Sequence, residues 1–266
     1  MNAWSYPDSI SESDAQQMAR FLEERARMPD QQRLHAALII ALAPQPGEHA
    51  LDLGCGTGVI TRRLAHAIGS SGTVVGVDVS ETMIREARRL GIHPALRFVT
   101  GDATNLGYEP ASFEVAAAAR LLLHVPKPLL VLHEVHRVVQ PGGRLGLLEW
   151  DWGTLAIDHS QRQITRRILD WRCDNHGGDN WMGRQLPRLC QESGWAVRTI
   201  QVLASIHQTE DMGFIATIRR AAAGAQQHDA ISETEHMAWI AEIDTRLAQG
   251  RFFATMNDYI VVAERM

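Results

Sequence analysis

Lysine is nearly absent from this chain of 266 residues: Lys127 is the single one, and arginine supplies the rest of the 26 basic side chains. Set against 31 acidic residues, they leave a formal net charge of -5. A duplex or folded RNA selects a concentrated basic surface, because phosphate contacts supply most of that affinity. No Lys/Arg run here offers one, so a nucleic-acid partner is not expected. Cysteine is also scarce. Cys55, Cys173 and Cys190 form an odd set without paired spacing, which argues against a disulfide framework and suits a reducing compartment. No apolar stretch approaches the roughly 20 residues of a membrane helix, and the first ten residues, MNAWSYPDSI, lack the basic-then-apolar pattern of a signal peptide. The cytoplasm is the expected location, with no membrane partner. No internal repeat or low-complexity segment is present.

What the chain does have is a core. Hydrophobic residues make up 45% and charged residues 21%, ordinary for one large α/β domain or a core with a smaller cap. Residues 13–43 read as helix broken near Met28-Pro29-Asp30, with Leu34, Leu38 and Leu42 at helical spacing. Then apolar runs alternate with amphipathic segments. Strands are expected at 50–53, 74–77, 96–99, 115–119 and 144–149, with helices at 59–67, 81–90 and 129–139. That alternation predicts a parallel sheet covered on both faces by right-handed crossovers. Beyond Trp150, residues 155–192 and 211–248 read as mostly helical, around a strand at 196–203, and the chain ends on a β-rich run at 259–264. The segments 1–43, 155–192 and 211–248 are read as a helical cap over one sheet edge.

The sharpest motif is Leu51-Asp52-Leu53-Gly54-Cys55-Gly56-Thr57-Gly58, between a strand and a helix. Glycines at 54, 56 and 58 allow a tight turn and close approach of backbone to ligand. In a doubly wound sheet such a loop lies at the carboxyl ends of the strands, where ligands bind. The spacing is G-x-G-x-G, and Val59 stands where a dinucleotide fingerprint requires glycine. Asp52 also sits badly beside a pyrophosphate and well beside a cationic ligand. The second strand ends in Asp78, 20 residues beyond Gly58, where an acid can accept hydrogen bonds from both ribose hydroxyls. The third strand leads into Gly101-Asp102-Ala103, the fourth into Arg120–Pro128 (RLLLHVPKP), and Val138–Leu145 (VVQPGGRL) precedes the fifth.

Taken in order, these five motifs resemble those of the class I S-adenosylmethionine-dependent methyltransferases over about residues 45–150, with a core like the type 11 and quinone methyltransferases. The resemblance implies a Rossmann-like, doubly wound, seven-stranded α/β sheet, mostly parallel with an antiparallel final strand. It implies one domain over 1–266, with the cofactor-binding core at 45–150 and the cap elements named above. S-adenosyl-L-methionine would meet Asp52, Gly54, Cys55, Gly56, Gly58, Asp78, Val79, Met83, Gly101, Asp102, Ala103 and Arg120, with Asp102 reaching the adenine amino group. Asp78 and Asp102 also suit helix N-caps or turns, and Cys55 suits a small core residue.

Acceptor and base are expected beyond strands four and five. His124 is the first choice for a base, its ordinary pKa being near neutrality, and Asp151 the second. Five of the seven tryptophans (Trp150, Trp152, Trp171, Trp181 and Trp195) fall between 150 and 195, which suits a pocket for a flat, partly apolar small molecule. Trp171 and Trp195 are read instead as core, and Trp4 and Tyr6 as groups able to close over the cofactor. No metal is expected. His133 and His136, three apart on a helix, belong to a face away from the active edge. Arg120 stands where catechol-type relatives place an acidic metal site, and the paired cysteines of arsenite methyltransferases are missing. The expected reaction is methylation of oxygen or nitrogen on a small metabolite. Quinone-type carbon methylation, or a different reaction by a protein that binds the cofactor, are the alternatives. A homodimer is compatible with this reading.

Overall fold

A computed structural model of the chain describes residues 11–175, 177–210 and 213–266; the expectation for Trp4 and Tyr6 lies outside them. Seven strands form one sheet: β1 (His49–Leu53), β2 (Thr73–Asp78), β3 (Leu96–Thr100), β4 (Phe113–Ala119), β5 (Val139–Ile157), β6 (Trp195–His207) and β7 (Ala254–Arg265). Their order is β3-β2-β1-β4-β5-β7-β6. The first five run parallel, and β7 lies antiparallel between β5 and β6. The order therefore reverses between β1 and β4. Loops leaving those two strands part in opposite directions and open a crevice at their carboxyl ends.

Burial on both faces explains the composition of the central strands. The strand β4, FEVAAAA, is buried from Val115 through Ala118, and its small side chains let helices from either side approach the sheet closely. One face carries α2 (Pro29–Leu42), α3 (Val59–Ile68) and α4 (Glu81–Leu90) over a core containing Leu34, Leu38, Leu42 and Leu64. The other carries α5 (Pro128–Val138) and α7 (Met182–Glu192) over Leu122, Val135, Leu186 and Trp195. A third core, with Trp152, Phe214, Trp239 and Phe252, joins α6 (Arg162–Asn175), α8 (Phe214–Gln227) and α9 (Glu233–Ala248) to the far ends of β5 and β7. Gly224 admits this packing, since a Cβ there would stand 2.0 Å from the Trp171 ring. The remaining helix, α1 (Glu12–Ala26), buries only Ala15 and Ala19 and lies against α4 and α2.

Two expectations are corrected. The segments read as cap are divided: α2 and α7 are sheet-covering helices, and α6, α8 and α9 make the cap. The apolar face of α7 finds β5, β6 and β7 directly beneath it, a layer that the sequence pattern after Trp150 concealed. The fifth strand does not stop at Glu149 but continues to Ile157, because β7 pairs with it as far as Ile157↔Ala254, with a register shift between Asp151 and Ala156. No helix among the described residues is long and apolar enough to cross a membrane.

Candidate functional site

A cavity of about 480 Å³ opens at the carboxyl ends of the strands, bounded by the β1, β2 and β4 loops, α1, the far end of β5 and the cap. This is an ordinary volume for a small-molecule site, typically ~300–1,000 Å³. Its floor is the glycine loop. Gly54 (φ +61°) and Gly56 (φ +52°) take left-handed conformations, and a Cβ on Gly54 would lie 2.8 Å from Leu121. The Cys55 N–H donates to the Val77 carbonyl (3.0 Å), tying the loop to β2.

Two acids face this floor. Asp78 Oδ2 accepts from the Gly56 N–H (2.8 Å) and Oδ1 from the Ser80 N–H (2.9 Å). A carboxylate has about four acceptor positions, so capacity for a ligand remains. Burial raises its pKa. Asp52 accepts from Thr61 Oγ1 (2.6 Å), and burial pushes it up to about 7. Val79, Met83, Gly101 and Ala103 continue the lining, and Cys55, buried beside Gly76, joins it. Burial drives the Cys55 thiol well above its usual range, making it a poor nucleophile.

The opposite wall is aromatic and cationic. Trp150 and Trp152 alternate inward from β5, their ring centroids 5.8 Å apart. The Arg120 and Arg25 guanidiniums lie 4.6 and 4.9 Å from the Trp150 ring. Phe214 stacks 6.1 Å from Trp152, and His207 stacks 3.6 Å from Phe214. Arg120 leaves β4 with φ +61°, a strained value for a side-chain-bearing residue. It pairs with Asp258 of β7, whose other oxygen accepts from Ser205 of β6. His124 closes a 3₁₀ turn, Leu122–His124, at the cavity edge. Burial lowers its pKa to about 4, with Arg25 and Arg120 adding to the effect. His35, also in the lining, is lowered to about 3 by burial, followed by Arg63, Arg120 and Arg25.

The cavity thus gathers Asp52, Gly54, Cys55, Gly56, Asp78, Val79, Met83, Gly101, Ala103, Arg120 and His124. Three expected residues lie outside its lining. Gly58 starts α3 with φ +82° and packs under Phe98, 2.9 Å from where a Cβ would be. Asp102 is exposed and caps its own turn by accepting from the Thr104 N–H (2.8 Å). Asp151 is fully buried on the other face of β5, where Arg184 of α7 donates to it (Nη2–Oδ1 2.9 Å). Strand alternation would have placed it there: in Glu149-Trp150-Asp151-Trp152 the tryptophans share the cavity face and the acids share the opposite one. Glu149 accepts from the Leu122 N–H (2.7 Å) and so holds the His124 turn, and burial pushes its pKa up to about 8.

Other residues fall as read or were missed. Trp195 is core, its Nε1 donating to the Leu132 carbonyl (3.2 Å), and Trp171 packs in the cap. His133 is exposed on α5, while His136 lies edge-on to Trp195 (5.3 Å). Among the described residues no group of three or more His, Cys, Asp or Glu side chains could hold a metal ion. Sequence reasoning missed His35, Arg172, Asp258 and Phe214, which carry no motif; only the period of β7 hinted that Met256 and Asp258 face together.

Comparison with known proteins agrees with this architecture. Residues 50–143 match the model of a methyltransferase domain. Over 257 residues the chain is 33% identical to an uncharacterised 37.1 kDa protein in transposon Tn4556 of Streptomyces fradiae, covering 96% of this chain and 73% of that one. It is 37% identical to the demethylmenaquinone methyltransferase of Lactobacillus johnsonii over 120 residues, 44% of this chain and 49% of the enzyme, so it matches about half of that relative's length. The crystal structure of a provisionally assigned methyltransferase from Bacillus halodurans C-125 shares the fold with a TM-score of 0.61 at 18% identity, covering 87% of this chain and 98% of the other. With the strand order, the glycine floor and these relatives in agreement, the chain carries a methyltransferase domain at residues 50–143.

Proposed function

We propose that this chain transfers a methyl group from S-adenosylmethionine to an oxygen or nitrogen of a small, flat, partly apolar molecule. The observation that carries the reading is one cavity in which a glycine floor with two acids faces a wall of indole rings. The residues present suit the cofactor. Gly54 and Gly56 allow backbone approach, Asp78 retains acceptor capacity for vicinal hydroxyls, and Val79, Met83 and Ala103 offer an apolar slot for a purine. Asp52 and the loop carbonyls provide negative potential for a cation. When bound, this cofactor supplies an electrophilic methyl group on a sulfonium.

Catalysis then rests on alignment. Trp150 and Trp152 position the acceptor's plane, and Arg120, fixed by Asp258, holds the inner end of that wall. His124 is a neutral imidazole throughout the physiological range, so it accepts a hydrogen bond from an acceptor O–H or N–H. Its lowered pKa makes it a weak base, which favours acceptors that ionise readily. Carbon methylation of a quinone-type ring is the second reading, supported by the similarity of residues in the core to demethylmenaquinone methyltransferases.

Calorimetric titration with S-adenosylmethionine, S-adenosylhomocysteine and NADH tests the cofactor half. Both sulfur nucleosides should bind and NADH should not; the opposite pattern would sink the reading. Asp78→Ala should weaken S-adenosylmethionine by about 1–3 kcal/mol. Release of S-adenosylhomocysteine in step with a methylated product separates transfer from other chemistry on the same cofactor.

A further inference from the structure

Arg120 of the cavity wall, its side chain largely buried, is answered by Asp258. Arg172 of α6 is only 4% exposed and pairs with no carboxylate among the described residues. Its guanidinium lies 3.4 Å from the centroid of the Trp152 ring, Nη1 donates to Asn180 Oδ1 (2.7 Å), and Nε is buried without a partner among the described residues. Burial lowers the Arg172 pKa to about 10, against an opposing pull from the neighbouring Cys173 thiol and with a smaller push from Arg220, which lines the same cavity one turn beyond Thr217 on α8; Arg172 is still protonated at neutral pH.

A buried charge without a counter-ion is costly, and stacking on an indole with one neutral hydrogen bond offsets only part of that cost. An anion at the cap end of the cavity, against Trp152 and Phe214, would supply the counter-charge. A planar fork of N–H donors beside flat aromatic faces matches a carboxylate on a flat apolar body. We infer that the methyl acceptor is a small aromatic or otherwise flat carboxylic acid, bound as its anion by Arg172 with Arg220 at the entrance. The inference rests on the acceptor-pocket reading above and narrows it to a substrate class. It makes Arg172 a specificity residue rather than a catalytic one.

Matched acid and amide pairs provide the probe: benzoate with benzamide, 4-hydroxybenzoate with 4-hydroxybenzamide, and indole-3-acetate with indole-3-acetamide. Each is titrated by calorimetry and thermal shift into the full chain, with and without saturating S-adenosylhomocysteine. At least one acid should bind about tenfold or more tightly than its amide, the worth of a charge-assisted bond. Arg172→Gln, which retains a polar group for Asn180, and Arg172→Met should each abolish that preference and leave the amide's affinity unchanged. Equal affinity of acids and amides would overturn the inference, as would a preference surviving both variants or no binding of any acid at millimolar concentration. The cofactor's own carboxylate is the competing source of the anion. If both variants lost S-adenosylmethionine affinity about tenfold while acid binding was unaltered, the anion would be the cofactor's and the inference would fail. Failure of wild-type chain to bind any sulfur nucleoside would count against the methyltransferase reading instead, since the acid–amide comparison is also made without one.

Discussion

At the β1, β2 and β3 loops the cavity wall is made of backbone and short acids, whereas around β5, β7 and the cap, with Arg120 of the β4 loop and Arg25 of α1, it is made of indoles and guanidiniums. The first half gains its shape from local chain geometry: glycines with positive φ, and carboxylates answered by N–H groups a few residues away or on the neighbouring loop. The second half depends on pairs far apart in sequence, such as Arg120 with Asp258 and Trp152 with Phe214. One half is suited to presenting a constant ligand in a fixed pose. The other is built from side chains that substitution can exchange without altering the loop, which is how one fold accommodates many acceptors.

Mutations that damage one half alone test the division. The largest effect should come from Trp152→Ala, which empties a buried site shared by the wall and the cap core. Stability should fall by about 3–5 kcal/mol in denaturant unfolding, while molecules that remain folded keep their S-adenosylmethionine affinity. Loss of both together would show that the halves are not independent. Gly54→Val should do the reverse. Its backbone strain of about 1–3 kcal/mol, together with the overlap on Leu121, should appear chiefly as weakened cofactor binding by calorimetry, with the cap intact.

Glu149 joins the halves, and pH reads it. Its pKa in the folded chain is raised from 4.5 to about 8 by burial, so the folded chain retains a proton that the unfolded chain has released. The associated stability is therefore complete below about 4.5 and is lost as pH rises through about 8. Asp52, raised from 3.8 to about 7, contributes with the same sign. Between pH 6.5 and 8, above the range in which the lowered pKa values of His35 and His124 add a slope of opposite sign, melting temperature should decline, and Glu149→Gln, which still accepts from the Leu122 N–H, should make that decline shallower. A slope unchanged in Glu149→Gln would remove this carboxyl from the account. The smallest effect belongs to Asp102→Ala. Exposed and occupied with its own turn, Asp102 should change cofactor affinity and stability by no more than about 0.5 kcal/mol; a larger loss of affinity would return it to the adenine site.

Much of the first half was legible in the sequence because its determinants are local. The loop Gly54–Gly58 fixes where the chain turns, and Asp78 follows at the end of the next strand. Asp102 shows the limit of such reading, since a motif locates a turn without fixing which of its atoms faces the ligand. In the second half the signal was partly present and misread. The four residues Glu149 to Trp152 lie on an extended strand, so their faces alternate, and the titratable Asp151 drew notice that belonged to its tryptophan neighbours. Arg120 was expected as a cofactor contact, but its partner is 138 positions away, beyond any local pattern. Similarly, α7 reads as one more helix after the sheet, because nothing in its own residues tells that β6 and β7 will return to lie beneath it.

The strand β7 has a mechanical consequence. It lies beside the edge strand β6 and reaches the cap core at Ala254, and β6 pairs with it without interruption from Thr199 to His207. Domain closure needs a short segment able to absorb rotation, and a continuous ladder denies one there. That ladder braces the acceptor wall from the β6 side, although the β5–β7 pairing beside Trp150 and Trp152 shifts register between Asp151 and Ala156, and the cavity has another rim. That rim is α1, which contributes Met18, Phe21, Leu22 and Arg25 to the lining yet is tethered to α3 and α4 by Arg62–Glu23 and Arg85–Glu12. Tethers of that kind weaken as ionic strength rises, so the hold on this rim of the cavity is sensitive to salt.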